Sequence, residues 1–184
     1  MTKEIIPVDG ELYLRKISIR DAETVFQLTD SNREHLARWL PFAKTTYTVH
    51  DTLAFIRQVS RPSAGRLVFV MVYRDRITGL LGYKDIDLSN RKLEIGYWIA
   101  AAYEGKGIVT RCCKTAVDFA FEKMKINRVQ IKCAVDNIRS SNIPKRLGFV
   151  SEGIEREGDR YEGGYRNLEI YAMLKKDWPA GNIF

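Results

Sequence analysis

The sequence predicts an α+β domain, a mixed sheet of about six or seven strands flanked by helices. Two observations carry that class. Short apolar runs rich in β-forming residues recur along the chain, Leu67 to Tyr73 being the strongest. Between them lie stretches with apolar residues at helical spacing, such as Ala22, Val25 and Phe26, or Val109, Cys112, Ala116 and Ala120. With 184 residues and a hydrophobic fraction of 45%, the chain suits one domain, 1–184, with a sizeable core. No low-complexity segment, repeat or linker divides it.

Leu12 to Ile17 reads as the first strand. Ser18 and Asp21 form a capping-box-like start for the first helix, through Ala22, Val25, Phe26 and Thr29. A second helical pattern, Leu36, Trp39 and Leu40, stops at Pro41. Trp39 and Phe42 beside it are core residues or walls of a cleft. His50-Asp51-Thr52 starts a helix carrying Leu53, Phe55, Ile56 and Val59, which Pro62 to Gly65 ends. His35 and His50 lie near helix starts, where surface or capping roles outweigh catalysis.

Arg74-Asp75-Arg76 makes a hairpin turn from Leu67–Tyr73 into Ile77 to Ile86. A polar turn, Asp87 to Arg91, precedes the strand Leu93 to Ile99. Val129, Ile131, Cys133 and Val135 alternate with mostly polar residues as a period-two strand. Ser140 to Arg146 reads as a short helix, with Ser140 in a favoured capping type and Gly148 as its C-cap. Val150 to Glu157 and Tyr165 to Leu174 are the last strands, joined by a glycine- and charge-rich loop containing Asp159.

Composition narrows the function classes. No run is long enough to span a bilayer, and Met1 to Pro7 lacks the apolar stretch of a signal peptide. Cys112, Cys113 and Cys133 show no metal-ligand spacing, and a sparse, odd set fits a reducing cytoplasm. At least two read as buried, inert thiols. A net charge of +7 favours anionic partners, from phosphorylated cofactors to acidic proteins and RNA, without choosing among them.

The chemical signal is Gly105-Lys106-Gly107-Ile108-Val109-Thr110, two glycines between a strand and a helix. Glycine permits positive φ and close approach to bare N–H groups, and the next helical turn adds unpaired donors and the positive end of the helix dipole. That is a ready anion site, most often for a phosphate, the other reading being a tight turn with no ligand. A dinucleotide fold would place a third glycine at Thr110, and a P-loop would close on Gly-Lys-Ser/Thr. Neither holds, which leaves a pyrophosphate cradle of another kind.

In order, Glu94-Ile95-Gly96-Tyr97-Trp98-Ile99, Gly105-Lys106-Gly107-Ile108, Asn127-Arg128, Asn137-x-x-Ser140, Leu147-Gly148-Phe149 and Glu152-Gly153 resemble the GNAT superfamily of acetyl-CoA-dependent N-acetyltransferases. The likeness runs from the first strand to Trp178. More narrowly, the chain looks like the RimJ/RimL branch, which acetylates N-terminal amines of ribosomal proteins. Two positions depart from the pattern: Ala102, where Arg or Gln is common, and Arg111-Cys112, where Glu-Ala is common. Neither removes a backbone donor.

The resemblance implies a GNAT fold with splayed central strands forming the acetyl-CoA cleft. It implies that Gly105 to Thr110 hold the pyrophosphate and that Trp98-Ile99 pair with the pantetheine arm through their backbone, with an oxyanion donor nearby. It implies that Asn137 bonds the arm and that Ser140 protonates the leaving thiolate. Lys145 and Arg146 are candidates for the 3′-phosphate, with solvated helix charges as the other reading. The candidate general bases are Glu94, on the less apolar face of its strand and otherwise a solvated or ion-paired residue, and Asp159, otherwise a loop carboxylate without a role. The expected acceptor is a peptide N-terminus, the positive charge favouring an acidic ribosomal protein. Small amines and a non-catalytic acetyl-CoA- or RNA-binding module are the alternatives. No RNA motif combines aromatic and basic residues, no metal is expected, and a homodimer stays open.

Overall fold

The computed structural model describes residues 5–161 and 163–179. Met1 to Glu4, part of the stretch read above for a signal peptide, lie outside the described residues. Eight strands form one sheet in the order β1-β2-β3-β4-β5-β6-β8-β7. They are β1 (Ile5–Asp9), β2 (Leu12–Lys16), β3 (Leu67–Tyr73), β4 (Arg76–Asp87), β5 (Lys92–Ile99), β6 (Arg128–Ala134), β7 (Val150–Tyr161) and β8 (Gly164–Leu174). The α+β class and mixed sheet hold, with eight strands instead of six or seven. The extra strand is β1, which Pro7 and a mostly exposed run hide from a period-two reading.

Helices α1 (Ala22–Asp30), α2 (Arg33–Ala37), α3 (Phe42–Thr45) and α4 (Val49–Val59) connect β2 to β3. The Ser18–Asp21 capping box forms as expected. Pro41 does not merely stop a helix; it is the N-cap of α3. Helix α4 starts one residue before His50, because Thr48 and Asp51 make a second capping box. Arg33 ties α2 to α3 by donating to Ala43 O and Thr46 O. These helices cover one sheet face through a core that includes Val25, Leu36, Ala43, Ile56, Val70, Leu80 and Trp98.

Helix α5 (Ile108–Glu122) and helix α6 (Ile138–Arg146) lie on the other face. There Cys112, Ala116, Val117 and Phe121 pack on Leu81, Tyr83, Ile95 and Ile131. Burial pushes the Cys112 thiol up to about 12, and Cys113 and Cys133 are also buried and unpaired. Cys112 and Cys113 thus meet the expectation of at least two buried, inert thiols. Among the described residues no helix is long and apolar enough to cross a membrane.

Neighbouring strands are antiparallel except β5 and β6, which run parallel and pair only over Lys92–Arg128, Leu93–Val129 and Glu94–Gln130. Beyond Glu94 the two strands part. Strand β5 stays paired with β4 as far as Ile99, and β6 stays paired with β8 as far as Ala134. The result is a wedge in the middle of the sheet.

Candidate active site

The wedge exposes backbone on one side of β5. Ala100 N donates to Thr78 O at 2.9 Å, toward β4. Alternation then turns the N–H and C=O of Ile99 and Tyr97 away from β4, into the wedge. Trp98 faces the other way: a Cβ built on Gly79 of β4 would meet Trp98 O at 2.1 Å. This corrects the sequence reading. Ile99 presents backbone to the wedge, whereas the partner in this role is Tyr97 and not Trp98. The Trp98 side chain joins the α1–α4 core and lies 6.3 Å from the Phe42 ring. Phe42, 39% exposed, is therefore a wall at the end of β5 and not core.

At the mouth of the wedge, Gly105 and Gly107 have φ of +73° and +69°. A Cβ on either would meet nothing within 4 Å, so the loop is open on its outer side. The first helical bond of α5 is Arg111 N to Gly107 O at 3.0 Å. None of the backbone N–H groups from Gly105 to Thr110 donates to an acceptor among the described residues. A run of unpaired donors at a helix start suits a pyrophosphate. Ile108 and Val109 anchor this turn in the core. Lys106 Nζ lies 5.1 Å from the centre of the Tyr103 ring. Arg111, one of the departures from the family pattern, pairs with Asp9 of β1 and donates to Lys106 O, bracing the loop. Glu104 ties it to both sides, meeting His35 Nε2 of α2 at 3.1 Å and pairing with Arg139 of α6.

Helix α6 begins at Ile138, earlier than expected, because Asn137 is its N-cap and accepts from Ser140 N at 3.2 Å. Ser140 is thus not a cap, and its hydroxyl is released for other contacts. Ser140 Oγ lies 3.2 Å from Tyr97 Oη and 3.2 Å from Cys133 Sγ. Sequence reasoning missed Tyr97 and Cys133 in this place. Each looks like an ordinary strand residue, and only the wedge brings β5, β6 and α6 to one point. Lys145 sits farther along α6, its Nζ 5.7 Å from the Tyr171 ring centre on β8. Tyr171 and Glu169 beside it raise its pKa.

The two candidate acids are held differently. Glu94 is buried, 7% exposed, on the sheet face that carries Trp98. Lys84 Nζ approaches Oε1 at 2.7 Å, but off hydrogen-bonding geometry, so this oxygen accepts no hydrogen bond among the described residues. Asp159 does not lie in a loop. It sits in β7 opposite Arg166, because that edge strand runs on past Glu157 to Tyr161. Its Oδ2 is 3.3 Å from Arg166 Nε, and Arg166 also lies over the Tyr161 ring and donates to Arg38 O at 3.2 Å. The pair thereby stitches the β7–β8 hairpin to α2. Among the described residues no cluster of acidic, histidine and cysteine side chains could hold a metal ion.

Residues 11–150 match the acetyltransferase (GNAT) domain. The chain belongs to the GNAT acetyltransferase family. It is 34% identical to the putative ribosomal N-acetyltransferase YdaF of Bacillus subtilis, over 94% of this chain and 96% of that one. The ribosomal-protein-serine acetyltransferase of Escherichia coli is 25% identical, covering 93% and 97% of the two chains. The spermidine N(1)-acetyltransferase of Escherichia coli is 26% identical, over 95% and 92%. Among solved structures, the microcin C7 self-immunity acetyltransferase MccE, in complex with acetyl-CoA and AMP, superposes with a TM-score of 0.86 at 26% identity, covering 91% of this chain and 94% of that one. The GNAT protein described here is an acetyl-CoA-dependent N-acetyltransferase, and the wedge with its unpaired donors fits that co-substrate.

Proposed function

We propose that this GNAT enzyme transfers acetyl directly from acetyl-CoA to the α-amine of a protein N-terminus, an acidic ribosomal protein being the favoured acceptor. The observation that carries direct transfer is Oε1 of Glu94, buried and ion-paired with Lys84 Nζ at 2.7 Å but accepting no hydrogen bond among the described residues. It is a buried acceptor on the α1–α4 face of β5, while the glycine loop and Ser140 belong to the α5–α6 face. The amine and the thioester then reach the wedge from opposite faces.

In this reading the N–H groups from Gly105 to Thr110 bind the pyrophosphate. The backbone of Tyr97 and Ile99 pairs with the pantetheine arm and supplies the oxyanion donor, and Asn137 turns its amide NH₂ to the arm. Glu94 takes a proton from the amine, whose reference pKa of about 7.7–8.0 leaves it mostly protonated at neutral pH. Ser140 gives the departing sulfur its proton. Asp159 and Arg166 shape the acceptor side between the hairpin and α2.

The names of the ribosomal relatives support the acceptor class, and the charge of +7 favours an acidic partner. The spermidine-acetylating relative favours a second reading, a small polyamine, which the same positive charge opposes. Thiol release from acetyl-CoA, measured against acidic and neutral peptide N-termini, spermidine and other small amines, decides between them. Turnover confined to peptides supports the proposal; a polyamine preferred over every peptide overturns it.

A further inference from the structure

Tyr97 has no part in the chemistry that the sequence suggests, yet its hydroxyl crosses the wedge. It donates to Ser140 O at 3.0 Å, and Ser140 Oγ donates back to it at 3.2 Å. Two bonds between one phenol and one serine tie β5 to the first turn of α6. Cys133 Sγ of β6, 3.2 Å from Ser140 Oγ, is the third member. Burial pushes the Tyr97 phenol well above its ordinary value and raises the Cys133 thiol. Burial thus favours the protonated form of both. A serine alone is a poor acid toward a thiolate, because an alkoxide is far more basic than the sulfur it would serve, whose thiol has a pKa of about 8.5. Ser140 needs a second donor behind it, and Tyr97 is the group that geometry holds there. Sulfur is the weaker hydrogen-bond donor of its two neighbours.

We propose that Tyr97 is the positioning residue that makes Ser140 an effective acid, fixing its hydroxyl at the wedge and replacing its proton as that proton leaves. The proposal rests on the reading of Ser140 as the proton donor. As the carbon–sulfur bond breaks, its electron pair goes to sulfur. Both hydroxyls swing for this: Ser140 turns its hydrogen from Tyr97 Oη to the sulfur and gives it up, and Tyr97 turns its own from Ser140 O to Ser140 Oγ and replaces it. Glu94 passes the amine proton to solvent, and Tyr97 takes one from solvent in the same step. The sum is one proton moved from nitrogen to sulfur. Burial disfavours a free phenolate, so the transfers run together.

The test is a double-mutant cycle of Ser140→Ala and Tyr97→Phe, read as kcat, acetyl-CoA KM and melting temperature. Tyr97→Phe should lower kcat about tenfold, the loss of one hydrogen bond to a charge-bearing group, with KM unchanged. In the Ser140→Ala background it should cost no further kcat. Its effect on melting temperature should persist there, because the bond to Ser140 O remains to be lost. Wild-type kcat for Tyr97→Phe, or a full further loss in the double variant, overturns the proposal. So does a kcat loss in Cys133→Ala without one in Tyr97→Phe, which would route the proton through the thiol. A Ser140→Ala enzyme with wild-type kcat removes the underlying reading as well, and is recognised because it needs no cycle. A solvent-deuterium proton inventory on the unmodified enzyme gives an independent arm. Curvature from more than one moving proton supports the relay; a linear inventory overturns it.

Discussion

Lys84 and Glu94 face each other across β4 and β5, with Nζ 2.7 Å from Oε1, and the acid is buried where the lysine is not. Lys132 of β6 adds to the field of the same carboxylate and is itself paired with Glu155. A row of alternating charge therefore crosses the sheet at the root of the wedge. In it the Lys84 ammonium offsets the burial of Glu94, whose Oε1 accepts no hydrogen bond among the described residues and is left open to a ligand donor. Glu94→Gln preserves the shape of the side chain and removes its charge. It should lower kcat about 100-fold at neutral pH, within the range for loss of a general base. Raising the pH should partly restore the rate, because the free amine accumulates. A Glu94→Gln enzyme with a wild-type pH–rate profile would show that the amine loses its proton elsewhere.

Asp159 should behave differently. Its partner Arg166 is anchored on Arg38 O, so the ion pair fixes the hairpin against α2. Asp159→Asn weakens that brace without reaching the wedge. Acceptor KM should rise several-fold, with kcat for acetyl transfer nearly unchanged. Steady-state kinetics with a peptide acceptor checks this, and a kcat loss that high pH repairs would assign the base to Asp159.

Stability should depend on acid through Asp21. Burial alone would raise its carboxyl, but two bonds from Arg15 at 3.0 and 2.7 Å, and one from Ser18 N at 2.8 Å, outweigh burial and hold it below the usual carboxylate value. A depressed folded-state pKa stabilises above the unfolded value of about 3.9 and loses that contribution as pH falls through the folded value. Asp21→Asn also strands a largely buried Arg15. The variant should lose about 3 kcal/mol at neutral pH, the lower end for breaking a buried pair. The gap to wild type should narrow as the pH falls through the depressed folded-state value. Urea unfolding at pH 7 and pH 3 measures both.

What was legible in the sequence follows from how local each signal is. The glycine loop, the Ser18 capping box and the apolar stripe of α5 are written in consecutive residues, and they sit where expected. Strand β7 was cut short because it is an exposed edge: Gly158 and charged neighbours leave no alternation to read. The start of α6 was misplaced because Asn137, not Ser140, takes the cap. The wedge is a matter of register, three pairs and then none, which no single strand encodes. For the same reason Tyr97 stayed hidden: its partner Ser140 is 43 residues away in sequence.

The glycine loop gives the sharpest test of the cofactor site. Gly107 is the N-cap of α5, with φ of +69°, and nothing stands within 4 Å of a Cβ built on it. In the free protein a side chain there meets no neighbour, and the cost is the strain of a left-handed β-branched residue, about 1–2 kcal/mol. The fold should survive it. In the complex the same side chain projects into the space beside the unpaired N–H groups and holds the pyrophosphate off them. Losing one charge-assisted hydrogen bond costs about 1.5–3 kcal/mol. Gly107→Val should therefore weaken acetyl-CoA binding by about tenfold to 100-fold while circular dichroism stays native. Calorimetric titration with acetyl-CoA reads the loss. Unchanged affinity in a folded Gly107→Val protein would mean that the pyrophosphate does not rest on this loop.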